Sequence, residues 1–576
     1  MGNRITEGYL QLLVVFIILA VYYPAIFSPF NSIDDMKMAN GLLNMGEFSL
    51  KDLFFPHAYA QYYRPLVGLS FIADKYLWGI EASFMHLENI VLHGLNALAV
   101  FVSSRQILRD KGVDSPGAAL SAALLFGLHP VNTEAVNWIS ARTDLLAGFL
   151  VFLSLILLLK SRFWSSSLYV VLGGVLFLAG CLAKETALFL LPGILIWCLI
   201  QPIDRHELIA GPIRFFNCFV LLAAAAAYMV MRGVALSGGD KIVSAAANIS
   251  QNEPSLLFVD AVSIALNSLG FYVKKLFLPV PLNFGITSIS PHYLWLGLIA
   301  LVLMAYVAYR RTVVSYLLFL AFCSVSPALL LPLFKITWTP LAERYLYIAS
   351  APFIIALTVS SIDLFNKFRV ADRQIQYGVV ALLLVLTSIT LQRNFVWQDN
   401  LTLFEDTAKK SPGFTAAKNE LAVALRDKGR IDEANSIIRS NEVGEFQPSS
   451  LNRIRLLVEE GKLDEANALV RDRLSRPSDY QREIWELFLS VSDARRSRMI
   501  DEKSKNETDR EIVRAFEKLI ALTNDPFYYY RLGYVQLRLN DRAAARDSFQ
   551  RAWRGAPPDA LYRAAALTLT NKLGKE

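Results

Sequence analysis

The sequence predicts an all-α protein: a polytopic membrane helical bundle followed by an α-solenoid. Three observations predict it. Apolar residues make up 54% of the 576-residue chain and charged residues 19%, with a mean hydropathy of +0.38, which argues against a single water-soluble globule of this size. Apolar runs of about 17 to 22 residues recur up to Leu391, whereas from Trp397 onward charges are frequent and no such run appears. A short stretch at Gly429 returns at Gly461. The boundary between the two domains is expected near 395, giving 1–395 in lipid and 396–576 in water.

Within the first domain about eleven spans are expected, at roughly 8–27, 87–104, 117–129, 145–160, 166–183, 186–200, 214–231, 293–309, 313–333, 343–361 and 376–392. With the amino terminus cytoplasmic, five alternate loops carry the basic residues. These are Arg105, Arg109 and Lys111; Lys160 and Arg162; Arg205 and Arg214; Arg310 and Arg311; Lys367, Arg369 and Arg373. The apolar segment 256–278 breaks this pattern if it crosses, so it reads as a non-crossing or re-entrant helix. The loops 28–86, 130–144, 232–292 and 334–342 then face outward, as does everything after Leu391.

The net charge of +7 sits mostly in these short inner loops, so it reads as topology and no nucleic-acid partner is expected. Cys181, Cys198, Cys218 and Cys323 all lie in apolar segments without paired spacing, which predicts neither a disulfide framework nor a structural zinc.

In the second domain, Gly429-Arg-Ile-Asp-Glu-Ala-Asn recurs as Gly461-Lys-Leu-Asp-Glu-Ala-Asn, close to the tetratricopeptide spacing of about 34 residues. Tyr529, Leu532, Gly533, Ala545, Phe549, Ala552 and Pro557 occupy the bulky, small and terminating positions of a further unit. Residues 480–523 are helical in pattern but fit the repeat poorly.

Polar residues concentrate in the outward loops. Asp34-Asp35 stands where the first span leaves the bilayer; adjacent carboxylates resist joint ionisation and suit a general base or a bound divalent cation, although an Asp-Asp pair also makes an ordinary helix start. Tyr62-Tyr63-Arg64-Pro65-Leu66 follows in the same loop. His86, Asn89, His93 and Asn96 fall within an arc of about 80° on the next span, as a site or as an interhelical hydrogen-bond ladder. The turn from His129 to Asp144 holds Glu134 and Arg142 and is denser in polar groups than a connection requires. Lys184-Glu185 sits in a tight outward turn. Arg344, after Glu343, is a basic residue placed against the inner bias, where its planar fork suits a phosphate or simply snorkels.

Together these stretches resemble the TMTC protein O-mannosyltransferases, multi-span GT-C glycosyltransferases with C-terminal tetratricopeptide repeats. The matching stretches are Asp34-Asp35, Tyr63 to Leu66, His86 to Asn89 with His93 and Asn96, Leu128 to Asp144, Lys184-Glu185 and Ala342 to Tyr347. The likeness covers nearly the whole chain, and the stretch from Leu128 to Asp144 is its most specific part. It implies a GT-C bundle that takes a polyprenyl-phosphate-linked sugar from the membrane and an acceptor from the outward side. It implies a carboxylate base, here Asp34 or Asp35, and a lipid phosphate held by Arg344 and Lys184. Arg64, His93, Glu134, Arg142, Asp144 and Glu343, all within the matching stretches, make the candidate substrate-binding set.

Such a reaction is direct displacement at the anomeric carbon with inversion, the phosphate leaving toward cations without a separate general acid. No cofactor is required, though the paired aspartates leave room for a divalent cation. A protein hydroxyl is the expected acceptor, docked by the repeats. Two alternatives stand beside this: transfer to a lipid or surface polysaccharide, and a non-enzymatic membrane scaffold acting through the repeats. A transporter fits less well, because the polar groups gather at the outer surface and not at the midplane. The setting is a multi-pass membrane protein facing periplasm or endoplasmic-reticulum lumen.

Overall fold

A computed structural model describes residues 2–43, 45, 48–56, 62–161, 167–200, 202–204, 211–236, 254–334, 339–441, 447–476, 478, 480–558 and 560–574. Arg162 and Arg205 of the inner loops lie outside these. The described residues are helical, and their one recorded bridge joins Ile286 to Leu341. The chain forms two compact units, Met1–Phe414 and Thr415–Glu576.

Among the described residues of the first unit, seven helices are long and apolar enough to cross a membrane: Glu7–Phe27, Ala82–Asp110, Ile139–Lys160, Pro212–Ala235, Val313–Leu333, Glu343–Phe368 and Asp372–Val396. Four shorter apolar helices, Pro116–Gly127, Ser167–Ala183, Glu185–Leu199 and Tyr293–Tyr309, stand where the remaining spans are expected. The chain is thus a multi-pass membrane protein. Large apolar side chains such as Phe16, Phe219, Leu303 and Leu384 point outward, which water would penalise and acyl chains do not.

Ala82–Asp110, with 29 residues, is about 44 Å long and exceeds the hydrocarbon core of about 30 Å. Both of its ends therefore project into the interfaces. Ser115 starts the next helix by accepting from the Ala118 backbone at 3.2 Å, with Pro116 in the first turn where its missing N–H costs nothing. The apolar segment read as non-crossing is the continuous helix Pro254–Phe277, laid antiparallel along Tyr293–Tyr309. A Cβ on Gly270 would strike the Tyr293 carbonyl, and one on Gly297 the Leu266 carbonyl, so the two backbones touch only because both positions are glycine.

The first unit extends past the last span. Asn400–Lys410, capped by the Asp399 carboxylate on the Thr402 N–H at 2.7 Å, buries Leu403 and Phe404. The Phe404 ring packs 6.2 Å from that of Phe284, which holds this helix on the bundle.

The second unit is a row of helix pairs: Thr415–Asp427 with Ile431–Ser440, Gln447–Glu459 with Leu463–Leu474, Gln481–Arg498 with Glu502–Thr523, and Pro526–Arg538 with Arg542–Gly555, closed by Leu561–Leu573. The small residues Ala434, Ala466, Ala545 and Ala552 are buried where helices meet. Gly429, Gly461 and Asn540 each turn the chain between paired helices with φ of +76°, +75° and +59°. Nothing lies within 4 Å of a Cβ built on Gly429, so Gly429→Ala tests the backbone alone. We expect it to destabilise the first helix pair by about 1–2 kcal/mol. Amide hydrogen exchange over Thr415–Ser440 should quicken accordingly, with Gly429→Asn affected less; unchanged protection in the alanine variant would contradict the account.

Candidate active site

Where the first helix ends, Tyr23–Phe27 makes one tight turn and the chain leaves the apolar layer. Asp35, 1% exposed, opens the helix Asp35–Leu43. Its carboxylate accepts from the Asn31 N–H at 3.1 Å, the Ser140 N–H at 2.8 Å and the Ser140 hydroxyl, tying the first outward loop to the second. Burial is the largest influence on it and lifts its pKa to about 6, the Ser140 and Asn31 bonds opposing.

Asp34 is half-buried beside it and, among the described residues, its carboxylate accepts no hydrogen bond. Burial raises its pKa, while Arg344, Lys37 and Arg64 pull it back down. One carboxylate of the pair is therefore committed to the loop, and the other is open in a field of three cations.

Two of those cations, Arg64 and Arg344, are held by acids, and so is Lys184. Arg64 forks onto Glu185, Nε to Oε2 at 2.9 Å and Nη2 to Oε1 at 2.6 Å. Lys184 Nζ donates to Asp144 Oδ1 at 2.6 Å, both groups buried; burial lowers its pKa and Asp144 opposes. Arg344 Nη1 donates to Glu134 Oε1, and its guanidinium lies 4.8 Å from the ring centroids of both Trp138 and Tyr345. Glu134 Oε2 accepts the backbone N–H groups of Glu343 at 2.9 Å and Arg344 at 3.2 Å, so one acid fixes both the position and the charge of Arg344. Burial raises the Glu134 pKa most strongly and Arg344 holds it down.

The three other candidates stand behind this cluster. Arg142, 1% exposed, donates to Asn89 Oδ1 at 3.0 Å, Asp74 Oδ2 at 2.6 Å and the Met85 carbonyl at 3.1 Å, and pairs with Glu88 at 2.9 Å. His93 Nε2 is 2.9 Å from the Gly127 carbonyl, which can only accept, so Nδ1 receives the Tyr347 hydroxyl at 2.9 Å. With Asn89 donating to the Val136 and Trp138 carbonyls and Asn96 to that of Leu145, three of the four residues of the polar stripe, His86 excepted, form an interhelical ladder. Glu343 accepts from Lys275 Nζ and the Asn283 N–H. Among the described residues no group of three or more His, Cys, Asp or Glu side chains is placed to hold a metal.

The chain has short, more similar matches and a longer, more distant match among animal proteins. Residues matched to human protein O-mannosyl-transferase TMTC4 are 41% identical over 101 positions, 16% of this chain and 14% of that protein. Those matched to TMTC1 of Mus musculus are 31% identical over 158 positions, 25% and 16%. Over 384 positions the chain is 25% identical to protein O-mannosyl-transferase F38B6.6 of Caenorhabditis elegans, 65% of this chain and 52% of that one. The chain resembles the TMTC protein O-mannosyl-transferases. It spans about half the length of the worm relative and a smaller share of the other two. No protein-family model matches it. Among solved structures, the archaeal oligosaccharyltransferase AglB from Archaeoglobus fulgidus aligns over 75% of this chain and 59% of its own, at 13% identity and a TM-score of 0.35.

The geometry brings in residues the sequence reading left without a role. Ser140 lies inside the densest motif, but a serine among so many polar neighbours carries no signal of its own. Lys275 could have been found: Lys274-Lys275 ends an apolar helix on the expected outward side, the same contrary placement that singled out Arg344. Glu185 and Tyr345 adjoin residues already chosen, and the pairing of Glu185 with Arg64 across 121 positions has no sequence signature.

Proposed function

We propose that this protein is a membrane glycosyltransferase that moves a hexose, mannose-like, from a polyprenyl-phosphate to a protein hydroxyl on the extracytoplasmic side, with inversion. The observation that carries the proposal is the open Asp34 carboxylate under the pull of Arg344, Arg64 and Lys37.

Asp34 takes the proton from the acceptor hydroxyl as its oxygen attacks the anomeric carbon. The sugar–phosphate bond breaks on the opposite face, and the developing phosphate charge is met by Arg344 and Lys184. Asp35 acts through position: its bonds to Ser140 keep the two outward loops in register. The names of the relatives favour a protein acceptor, and rows of helix pairs commonly bind polypeptide, which fits the second unit as the docking surface. The amino terminus is cytoplasmic in this arrangement, so that every cation of the cluster lies outside the positive-inside loops.

The test is transfer from radiolabelled polyprenyl-phosphate sugars into membrane extract by the wild type and by Asp34→Asn. Label passing to a protease-sensitive product only with wild type supports the proposal. Label in lipid alone redirects it to a lipid acceptor, and no transfer from any competent donor leaves the scaffold reading.

The pH profile gives a second check. A base must be ionised, so transfer falls as pH drops through the Asp34 pKa, which burial lifts above its usual 3.8. The acid limb of kcat/KM should lie above that value. Arg64→Gln, which removes one of the cations holding the group down and frees the Glu185 charge, should move the limb upward; a limb that stays put or moves down counts against Asp34 as base.

A further inference from the structure

The helix Pro65–Leu77, in the first outward loop, ends on large side chains that the protein leaves uncovered: Tyr76 and Leu77 are each 66% exposed and Trp78 is 49% exposed. Gly79, with φ of +73°, then turns the chain back toward the span Ala82–Asp110. The Trp78 ring lies flat on that of Phe84, centroids 5.0 Å apart and planes 11° from parallel. Phe84 is exposed in its turn, and so are Leu87 and Val91 at the third and seventh residues after it. That spacing puts the three on one face of the span, as a stripe turned toward acyl chains.

The length of the span sets the depth of this patch. At about 44 Å the helix exceeds the hydrocarbon layer by about 14 Å, and an even division leaves about 7 Å in the interface at each end. Phe84 then stands among the headgroups, Leu87 at their lower edge and Val91 in hydrocarbon. Trp78 is braced at the level of Phe84 from inside the protein. Its Nε1 donates to Glu88 Oε1 at 2.8 Å, and Glu88 Oε2 pairs at 2.9 Å with Arg142, which also grips Asp74 on the helix that carries Tyr76. A tip so braced keeps its rings outward.

We propose that Tyr76, Leu77, Trp78 and Phe84 form an anchor that sinks into the lipid interface on the Asp34 side, so that the first outward loop rides on the membrane and does not stand in water. Large amphipathic rings favour headgroup depth, and an exposed apolar patch of this kind marks a surface that another phase covers. Continuity selects lipid as that phase, because the patch runs through Phe84 into the stripe that already faces acyl chains. The anchor is also tied to the site. Lys75 Nζ donates to the Leu42 carbonyl at 2.7 Å and the Met45 carbonyl at 3.1 Å, which fixes the helix opened by Asp35 to the anchored one. The membrane contact itself does not depend on which group the site transfers.

Tryptophan quenching in liposomes tests the anchor on the full-length protein. The phospholipids carry bromine either near the glycerol end or near the middle of their acyl chains, and wild-type emission minus that of Trp78→Phe isolates one signal among nine tryptophans. Shallow bromine should quench that difference more than deep bromine, and aqueous iodide should hardly reach it. A nitroxide on Leu77→Cys gives the same reading without touching Trp78, since all four native cysteines are buried. Its relaxation should respond more to oxygen than to a water-soluble nickel chelate. Quenching by iodide, or free access of nickel to the label, overturns the proposal by placing the tip in water. Protection of Trp78 from bromine and iodide alike overturns it too, because protein and not lipid would then cover the patch.

Discussion

Asp34→Asn should lower kcat/KM for sugar transfer by about 10²–10⁴-fold, the span that general-base catalysis supplies, while the protein stays folded. The second half of that expectation gives it force. The Asp34 carboxylate makes no hydrogen bond among the described residues, so an amide in its place breaks no side-chain hydrogen bond and removes a partly desolvated charge. Thermal unfolding should be unchanged or slightly later. Asp35→Asn should behave differently: the new amide would oppose the Asn31 N–H or the Ser140 donors with donors of its own, so stability falls along with rate. If Asp35→Asn is dead but stable and Asp34→Asn active, the two roles are reversed. Steady-state kinetics and a melting curve on the same preparations decide between them.

Arg344→Met should remove about 10²–10³-fold from kcat and also destabilise the bundle by about 3–5 kcal/mol. The two losses have separate origins. The rate loss comes from the leaving phosphate, whose growing charge no longer meets a guanidinium. The stability loss comes from Glu134, left buried with an unpaired charge and only two backbone N–H donors. Burial already raises its pKa and Arg344 restrains it, so without Arg344 the folded-state value climbs further above the unfolded one. The variant should thus hold its stability best below the unfolded pKa and lose it as pH rises through the folded one. Adding Glu134→Gln, which keeps an acceptor for both backbone N–H groups, should restore stability and leave the rate low. Recovery of rate together with stability would mean that Arg344 serves the fold and not the phosphate.

The helical membrane architecture was legible because hydrophobic runs of span length have no other common use. The site was legible as a set of loops but not as pairings. Arg64 with Glu185, Arg344 with Glu134 and Ser140 with Asp35 join positions 105 to 210 apart, and nothing local links them. His93 was read as a polar group that needs a partner in lipid and Arg142 as part of an outward turn denser in polar groups than a connection requires, yet neither reading says whether the partner is a substrate or a neighbouring helix. Asn400–Lys410 shows a different blind spot. Its composition is that of a surface helix, and contacts across the sequence, such as Phe404 meeting Phe284 and Lys410 Nζ donating to the Leu282 carbonyl at 2.8 Å, reveal that it belongs with the bundle.

The recurrent left-handed turns at Gly429, Gly461 and Asn540 bear on how this chain could change over time. Each closes a helix pair that rests mainly on its immediate neighbours, so duplication or loss of one pair alters the length of the row by one step and asks no distant residue to adapt. The membrane bundle offers no such freedom, since its ion pairs join positions as far as 210 apart. Variation between lineages should therefore accumulate as whole modules in one part of the gene and as isolated, compensated substitutions in the other.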